Sequence, residues 1–541
     1  MKRRTSVSRF GLTVLTGALA LGMASCATDT GDSGDLDATD PDAITGANAV
    51  ARKVTVESYV YVRVGATNDE VQRAAVAQIR PLFGALKAHD IGLGRRLDTS
   101  DAYRSIDATT FRRDTVNVIN PTQPGTTVRQ LDRVRFTYSD TATVVNSRAS
   151  MRAFPTTILF NEPGSHANDI VQQCQSEHQD WGSSGIWYNF EPHLTSCQTL
   201  ITGEKDRIET QRRALANPDR EVTVDEAARW FLPLTLRFTT IRRTENKSPD
   251  YHRLFDDNKL SIHSYFGEDK HDDANDYGAK NFFTYVRTVL RARPELRVTS
   301  SAPTADLSRI TFAGQTITYT PADAANWVVD RTGIPSQVPS AMRDAFRLEV
   351  IRQWRDKLIT LSTPATVSIN GRSQSVVLAV NVFYGNEESF GSGAVQRYQR
   401  AFQEADVFQY TGHSHLGSGP LDARNYSASN FPDRYQVLMV NSCVSFNYYN
   451  RFFDMHPGGT RNLDTVTNGL PVFLEGSGES SARFAVAFLD GQFRNYLQIL
   501  TAMKIDLPWE RGHDANRVAD GETDNVFTPT AYRMTLTVPQ R

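Results

Sequence analysis

Apolar residues recur along this chain with two periods, and the switches between them outline its elements. KVTVESYVYVRVG (53–65) alternates apolar and polar positions and predicts a half-buried strand. A helix follows, capped by Asn68 or Asp69, with Val71, Ala75, Ile79 and Leu82 on one face. TTVRQLDRVRFTYSDTATVVNS (126–147) reads as further strand, and residues 201–250 as charged helix. Beyond them KLSIHSYFG (259–267) predicts a strand, AKNFFTYVRTVLRA (279–292) an amphipathic helix and RITFAGQTITYT (309–320) a hairpin about Ala313-Gly314. AMRDAFRLEVIRQWRDKLITL (341–361) predicts a long helix, SVVLAVNVFYG (375–385) a buried strand, and VQRYQRAFQEA (395–405) and RFAVAFLDGQFRNYLQILTAMK (483–504) two helices. Between those helices lie three apolar runs, in DVFQYTGHSHLGSG, YQVLMVNSCVSFNYY and GLPVFLEGSGESS, each ending in small or polar residues. Strands separated by helices predict an α/β fold, a mostly parallel sheet with helices on both faces, preceded by a smaller α+β or β-rich domain.

The start of the chain adds a compartment. Residues 1–26 combine Lys2, Arg3, Arg4 and Arg9 with an apolar stretch from Phe10 to Met23 and small residues before Cys26, the pattern of a secretory signal. The stretch falls short of the ~20 apolar residues of a spanning helix. Its Met-Ala-Ser-Cys ending resembles a bacterial lipobox, with Met23 where Leu is usual, which implies lipidation at Cys26 and a cell-envelope location facing periplasm or exterior. The other reading is an ordinary signal peptide. Residues 27–50 hold six aspartates and no Lys or Arg, so they are expected to be a disordered acidic tether. The expected organisation is then 1–26 signal, 27–50 tether, 51–200 amino-terminal domain, 201–254 helical connector and 255–541 α/β domain. The formal net charge of -2 leaves no footprint for nucleic acid.

Cysteine arithmetic narrows the chemistry. Of Cys26, Cys174, Cys197 and Cys443, the pair Cys174 and Cys197 brackets a loop-like segment and is expected to form a disulfide in an exported protein. Cys443 is left over, at the end of a predicted strand, and His413 ends the strand before it. A histidine beside a thiol raises its nucleophilicity and can later protonate a leaving amine. Backbone N–H groups in the tight turns at Ser414, Ser442 and Cys443 can stabilise an oxyanion.

The order strand, Thr-Gly-His, loop, strand, Asn-Ser-Cys, then a run ending in Gly-Ser-Gly resembles the caspase-like cysteine peptidases. YTGHSHLGSG and VLMVNSC are most similar to the gingipain-like and clostripain-like bacterial members, over at most residues 255–505. The resemblance implies a caspase–haemoglobinase fold and hydrolysis of peptide or protein substrates through an acyl-thioester. It assigns His413 as base and acid, Cys443 as nucleophile, and no cofactor or metal. Two departures stand out. Ser414 replaces the usual Gly after the histidine, so a catalytically degenerate surface binding module is a second reading. Asn441 stands where members of basic preference often carry an acid; Glu475 or Glu479, with Ser477 between them, are the substitute candidates for the substrate pocket. A third reading takes His413 and His415 as ligands of a metal-dependent hydrolase, with Asp454 and His456 nearby in sequence. His166, His178 and His193 lack a ligand spacing and read as polar loop residues.

Overall fold

The computed structural model describes residues 44–539 except 96–102, 104, 124–125, 161–165, 177–178, 241–246, 269–275, 303–307, 331–332, 387–391, 450–451 and 506–513. Cys26, His178 and residues 1–43 therefore lie outside the described residues, and among those described no helix is long and apolar enough to cross a membrane.

The amino-terminal half builds a seven-stranded sheet from β2 (Ala49–Arg63), β3 (Ile91–Leu93), β4 (Arg112–Ile119), β5 (Thr127–Val145), β6 (Ala153–Leu159), β7 (Glu221–Thr223) and β8 (Phe231–Thr240). The long antiparallel pairing of β2 with β5 is its spine. Alternation in both strands sends Val54, Val56, Val60, Val134, Phe136 and Tyr138 into a core shared with Val71, Ala75 and Ile79 of helix Asn68–Ile79. Thr67 and Glu70 close a capping box at that helix's start. The Cys174–Cys197 disulfide is formed, with Cα atoms 4.7 Å apart. Residues 201–254 are not a helical connector throughout, because FLPLTLRFTT alternates and pairs as β8 between β2 and β6.

The second sheet has ten strands: β1 (Ile44–Gly46), β9 (Lys259–Gly267), β10 (Arg297–Ala302), β13 (Leu358–Ile369), β14 (Arg372–Gly385), β15 (Val407–Thr411), β16 (Gln436–Asn441), β17 (Leu463–Asn468), β18 (Arg517–Asp520) and β19 (Thr535–Thr537). β11 (Arg309–Phe312) and β12 (Gln315–Thr318) form the expected separate hairpin. Five neighbouring strands, in the spatial order β14-β9-β15-β16-β17, run parallel. The chain thus places its second parallel strand on one side of the first and the remaining three on the other. Helix Tyr277–Ala292 covers one face through Phe282, Tyr285, Val286 and Val289. Tyr398 and Phe402 of helix Ser392–Glu404 pack on the other face, against Tyr265 and Phe408. The protein is accordingly a mixed α/β molecule, and both sheets belong to one compact unit.

Four expectations shift. Residues 44–50 are not tether: β1 pairs with β18, and β2 begins at Ala49. The long helix of 341–361 stops as helix Arg343–Arg352, and the β-rich LITLSTPATVSI run is taken by β13 against β14. The third run after His413 is not the strand; Leu463–Asn468 is, whereas Pro471, which has no N–H to donate, lies in the irregular segment 469–476. The last helix divides into Ser477–Leu489 and Tyr496–Ala502, with Gly491 and Phe493 at positive φ between them.

Candidate functional site

Ligands of open parallel sheets bind beyond the carboxyl ends of the strands, here the end that holds Thr411 and Asn441. These two residues are register partners on β15 and β16. His413 lies two residues past the first and Cys443 two past the second, so histidine and cysteine leave neighbouring strands side by side. The register places the two residues just past the ends of adjacent strands.

Each then enters a tight turn. Val444 has φ 46° and opens helix Ser445–Tyr448. A β-branched residue is strained in that left-handed region, and such strain persists only where the surroundings hold it. Here the Val444 N–H donates to the Leu470 carbonyl at 3.1 Å, and Ser445 Oγ bonds both the Val440 carbonyl and the Asn468 N–H. After His413, residues 415 and 416 have φ of 47° and 54°. The Tyr410 hydroxyl donates to the His413 carbonyl at 2.9 Å, and the Gly417 N–H to the Ser414 carbonyl at 2.8 Å. Ser414 itself is buried with φ -76°, a conformation that does not call for glycine.

The Cys443 thiol is half-buried and donates to the Val472 carbonyl at 3.6 Å. Burial pushes its pKa up. That hydrogen bond can form only while sulfur keeps its proton, and burial favours the same protonated form.

Below the turn lies a polar lattice that the sequence did not announce. Asn441 Nδ2 donates to Ser481 Oγ at 3.1 Å and to the Ser477 carbonyl at 3.3 Å. Its Oδ1 receives Asn468 Nδ2 and an Arg517 NH2 group, both at 3.1 Å. Asn468 also donates to the Ser442 carbonyl and accepts from Arg517 Nε. Asn441, Asn468, Ser477 and Arg517 are all buried. Asn441 and Ser477 therefore support the turn from beneath; they are not walls of an open pocket. Glu479 is held by Thr288 at 2.7 Å and Arg483 at 3.1 Å on helix Ser477–Leu489, whereas Glu475 is exposed on the 469–476 segment beside Phe473. A strand ending in Asn-Gly was the only sequence signal for the role of Asn468.

In comparisons with known proteins, no family model, curated protein or solved structure matches this chain.

The metal reading receives no ligand set: among the described residues no group of three or more His, Cys, Asp or Glu side chains is placed to hold an ion. The His413 and His415 rings lie 5.8 Å apart, centre to centre, and His456 is buried against Phe431 with Nδ1 3.0 Å from the Pro457 carbonyl. His166 packs against the Trp230 ring, and His193 against His89, both at a tilt.

Proposed function

We propose that this chain is an exported, lipid-anchored cysteine endopeptidase of the caspase-like kind, with His413 and Cys443 as its dyad. The observation that carries the reading is their emergence in register from adjacent parallel strands, two residues past the Thr411 and Asn441 pair. The parallel order β14-β9-β15-β16-β17 with antiparallel β18 beyond it supports a caspase–haemoglobinase arrangement. In the reaction His413 takes the thiol proton and the sulfur attacks the peptide carbonyl carbon. An S–C bond forms, the carbonyl electron pair moves to oxygen, and backbone N–H groups at Ser414, Ser442 and Cys443 receive that charge. The C–N bond then breaks as His413 protonates the leaving amine. Water, deprotonated by the same ring, cleaves the thioester to a carboxylic acid and restores the thiol. Substrate entry must first displace the Val472 carbonyl from the sulfur.

The test is hydrolysis of a peptide library by the wild type, Cys443→Ala and His413→Ala, with labelling by an electrophilic peptide. Turnover and labelling confined to the wild type support the reading; turnover unchanged in Cys443→Ala overturns it. The thiol's bond to Val472 favours a second reading, a binding module in which the same crevice holds a peptide without cutting it. Peptide binding without turnover or labelling selects that one.

A further inference from the structure

Strands β2 and β8 pair only from Arg52 with Thr240 to Thr55 with Arg237. Beyond that point β2 stays on β5 as far as Arg63, and β8 stays on β6 as far as Phe231, so the two strands part. A cavity of about 910 Å³ opens where they separate. Its lining follows from the register. Thr55 and Glu57 of β2, Thr137 of β5, and Thr235 and Arg237 of β8 share one face of the sheet, because side chains alternate and Glu57 partners Thr137 as Thr55 partners Arg237. Among the described residues no ion pair or hydrogen bond holds the Glu57 and Arg237 side chains or those three hydroxyls. The other wall is built of rings. Phe154 of β6 meets the His89 ring edge-on with centres 5.0 Å apart, and His89 lies 4.8 Å from His193. His193 and Gln198 stand on either side of Cys197 in the chain, so the disulfide anchors this wall, and Gln198 Nε2 donates to the Pro192 carbonyl.

We propose that this cleft between β2 and β8 binds an uncharged oligosaccharide and releases it uncut. Its volume lies within the range of small-ligand sites, about 300–1,000 Å³. A hydroxyl both donates and accepts, a carboxylate accepts, and a guanidinium donates in a planar pair, so threonines beside Glu57 and Arg237 match sugar hydroxyls on neighbouring carbons. The single carboxylate and single guanidinium cancel, which leaves no field to draw a polyanion or polycation. Burial, with His193 and Arg148 near, lowers the His89 pKa, so near neutrality this imidazole is uncharged and offers one donor and one acceptor. Phe154, Pro155 and Pro233 present flat apolar surface to the C–H faces of sugar rings. Cleaving a glycosidic bond takes two carboxyl groups, and Glu57 is the one acid among the described lining residues. An added peptide strand fits less well. Gln78 Nε2 already takes the Tyr59 carbonyl at 2.9 Å and Phe160 packs on the Tyr59 and Tyr61 rings, so the edge of β2 is closed just past the cleft.

The test is isothermal titration of the full-length protein with maltotriose, cellotriose, xylotriose and chitotriose. Saturable binding of at least one of these sugars is expected, weakened roughly tenfold or more in Glu57→Gln and in Arg237→Gln, since each removes a charged hydrogen-bonding group. Lys53→Met, at an exposed position of β2 outside the cleft, is expected to bind as the wild type does. Glu57 and Arg237 are both exposed, and circular dichroism checks that their variants fold; Thr235→Val replaces either one that does not. Absence of binding by every sugar, binding indifferent to both Glu57→Gln and Arg237→Gln, or an equal loss in Lys53→Met overturns the proposal. So does recovery of shortened sugar from the cell, or capture of a random peptide library at the cleft in place of the sugars.

Discussion

The two ends of the parallel strands bury polar groups in opposite ways. At the carboxyl end, the amides of Asn441 and Asn468, the Ser481 hydroxyl and the Ser477 carbonyl interlock with the Arg517 guanidinium. At the amino end the buried groups are acids. Asp464 Oδ2 receives the Tyr435 and Tyr496 hydroxyls and the Asn525 amide, and burial pushes this carboxyl up to about 7. Burial and the neighbouring Asp520 push Glu522 up to about 8. Burial also raises Asp406 to about 6, in spite of the Ser261 N–H and Arg434 that bond it. The difference teaches where rigidity is independent of pH. A lattice of amides holds the Cys443 turn without titratable acids, whereas burial raises the pKa of the acids at the amino end, so part of its stability is lost as they ionise.

The largest effect is expected from breaking the amide end. Asn468→Ala removes donors to Asn441 and Ser442 and an acceptor of Arg517, and should cost about 3 kcal/mol in denaturant unfolding. It should also lower Cys443-dependent activity, because the strained turn loses its floor.

The amino end should respond to pH instead. The folded-state value of Asp464, about 7, lies above the ordinary 3.8, so its contribution is complete below about pH 4 and is lost as pH rises through 7. Glu522 extends the loss toward 8. Each pH unit in that window is worth about 1.4 kcal/mol per group. Asp464→Asn with Glu522→Gln should flatten the fall in melting temperature between about pH 5 and 8; an unchanged slope would show these acids to be ionised in the fold.

Between the ends, at the middle of β9, His263 is fully buried and burial drives its pKa down to about 3 from 6.5. The unfolded chain binds that proton first, so stability present above 6.5 is lost as pH falls toward 3. His263→Leu should weaken this acid limb and leave the alkaline one unchanged, read by the same thermal scans. The smallest effect belongs to Ser442→Ala. The Ser442 Oγ is buried with no hydrogen-bond partner among the described residues, so its removal should change stability by less than about 1 kcal/mol and leave any turnover intact.

Much of the sheet was legible in the sequence because the strands are short apolar runs bounded by small residues. Segments 259–267, 375–385 and the ends at Thr411 and Asn441 all fall where that pattern predicts. The same rule misled at GLPVFLEG, since an apolar run cannot reveal whether it is covered, and Phe473 is left 53% exposed. It also missed β8, whose alternation was hidden in a charged neighbourhood, and the break at Gly491, where one helical face continues past a turn.

By itself the sequence determined the α/β class, the cysteine pair and the candidacy of His413 and Cys443, because each depends on local pattern, residue chemistry or counting. Only the tertiary structure decided what those two residues stand on and what faces them. Asn468 and Arg517 lie 27 and 76 residues from Asn441 in the chain. Local sequence carries no record of which distant partner will fill a buried hydrogen bond, and burial determines whether the thiol keeps its proton.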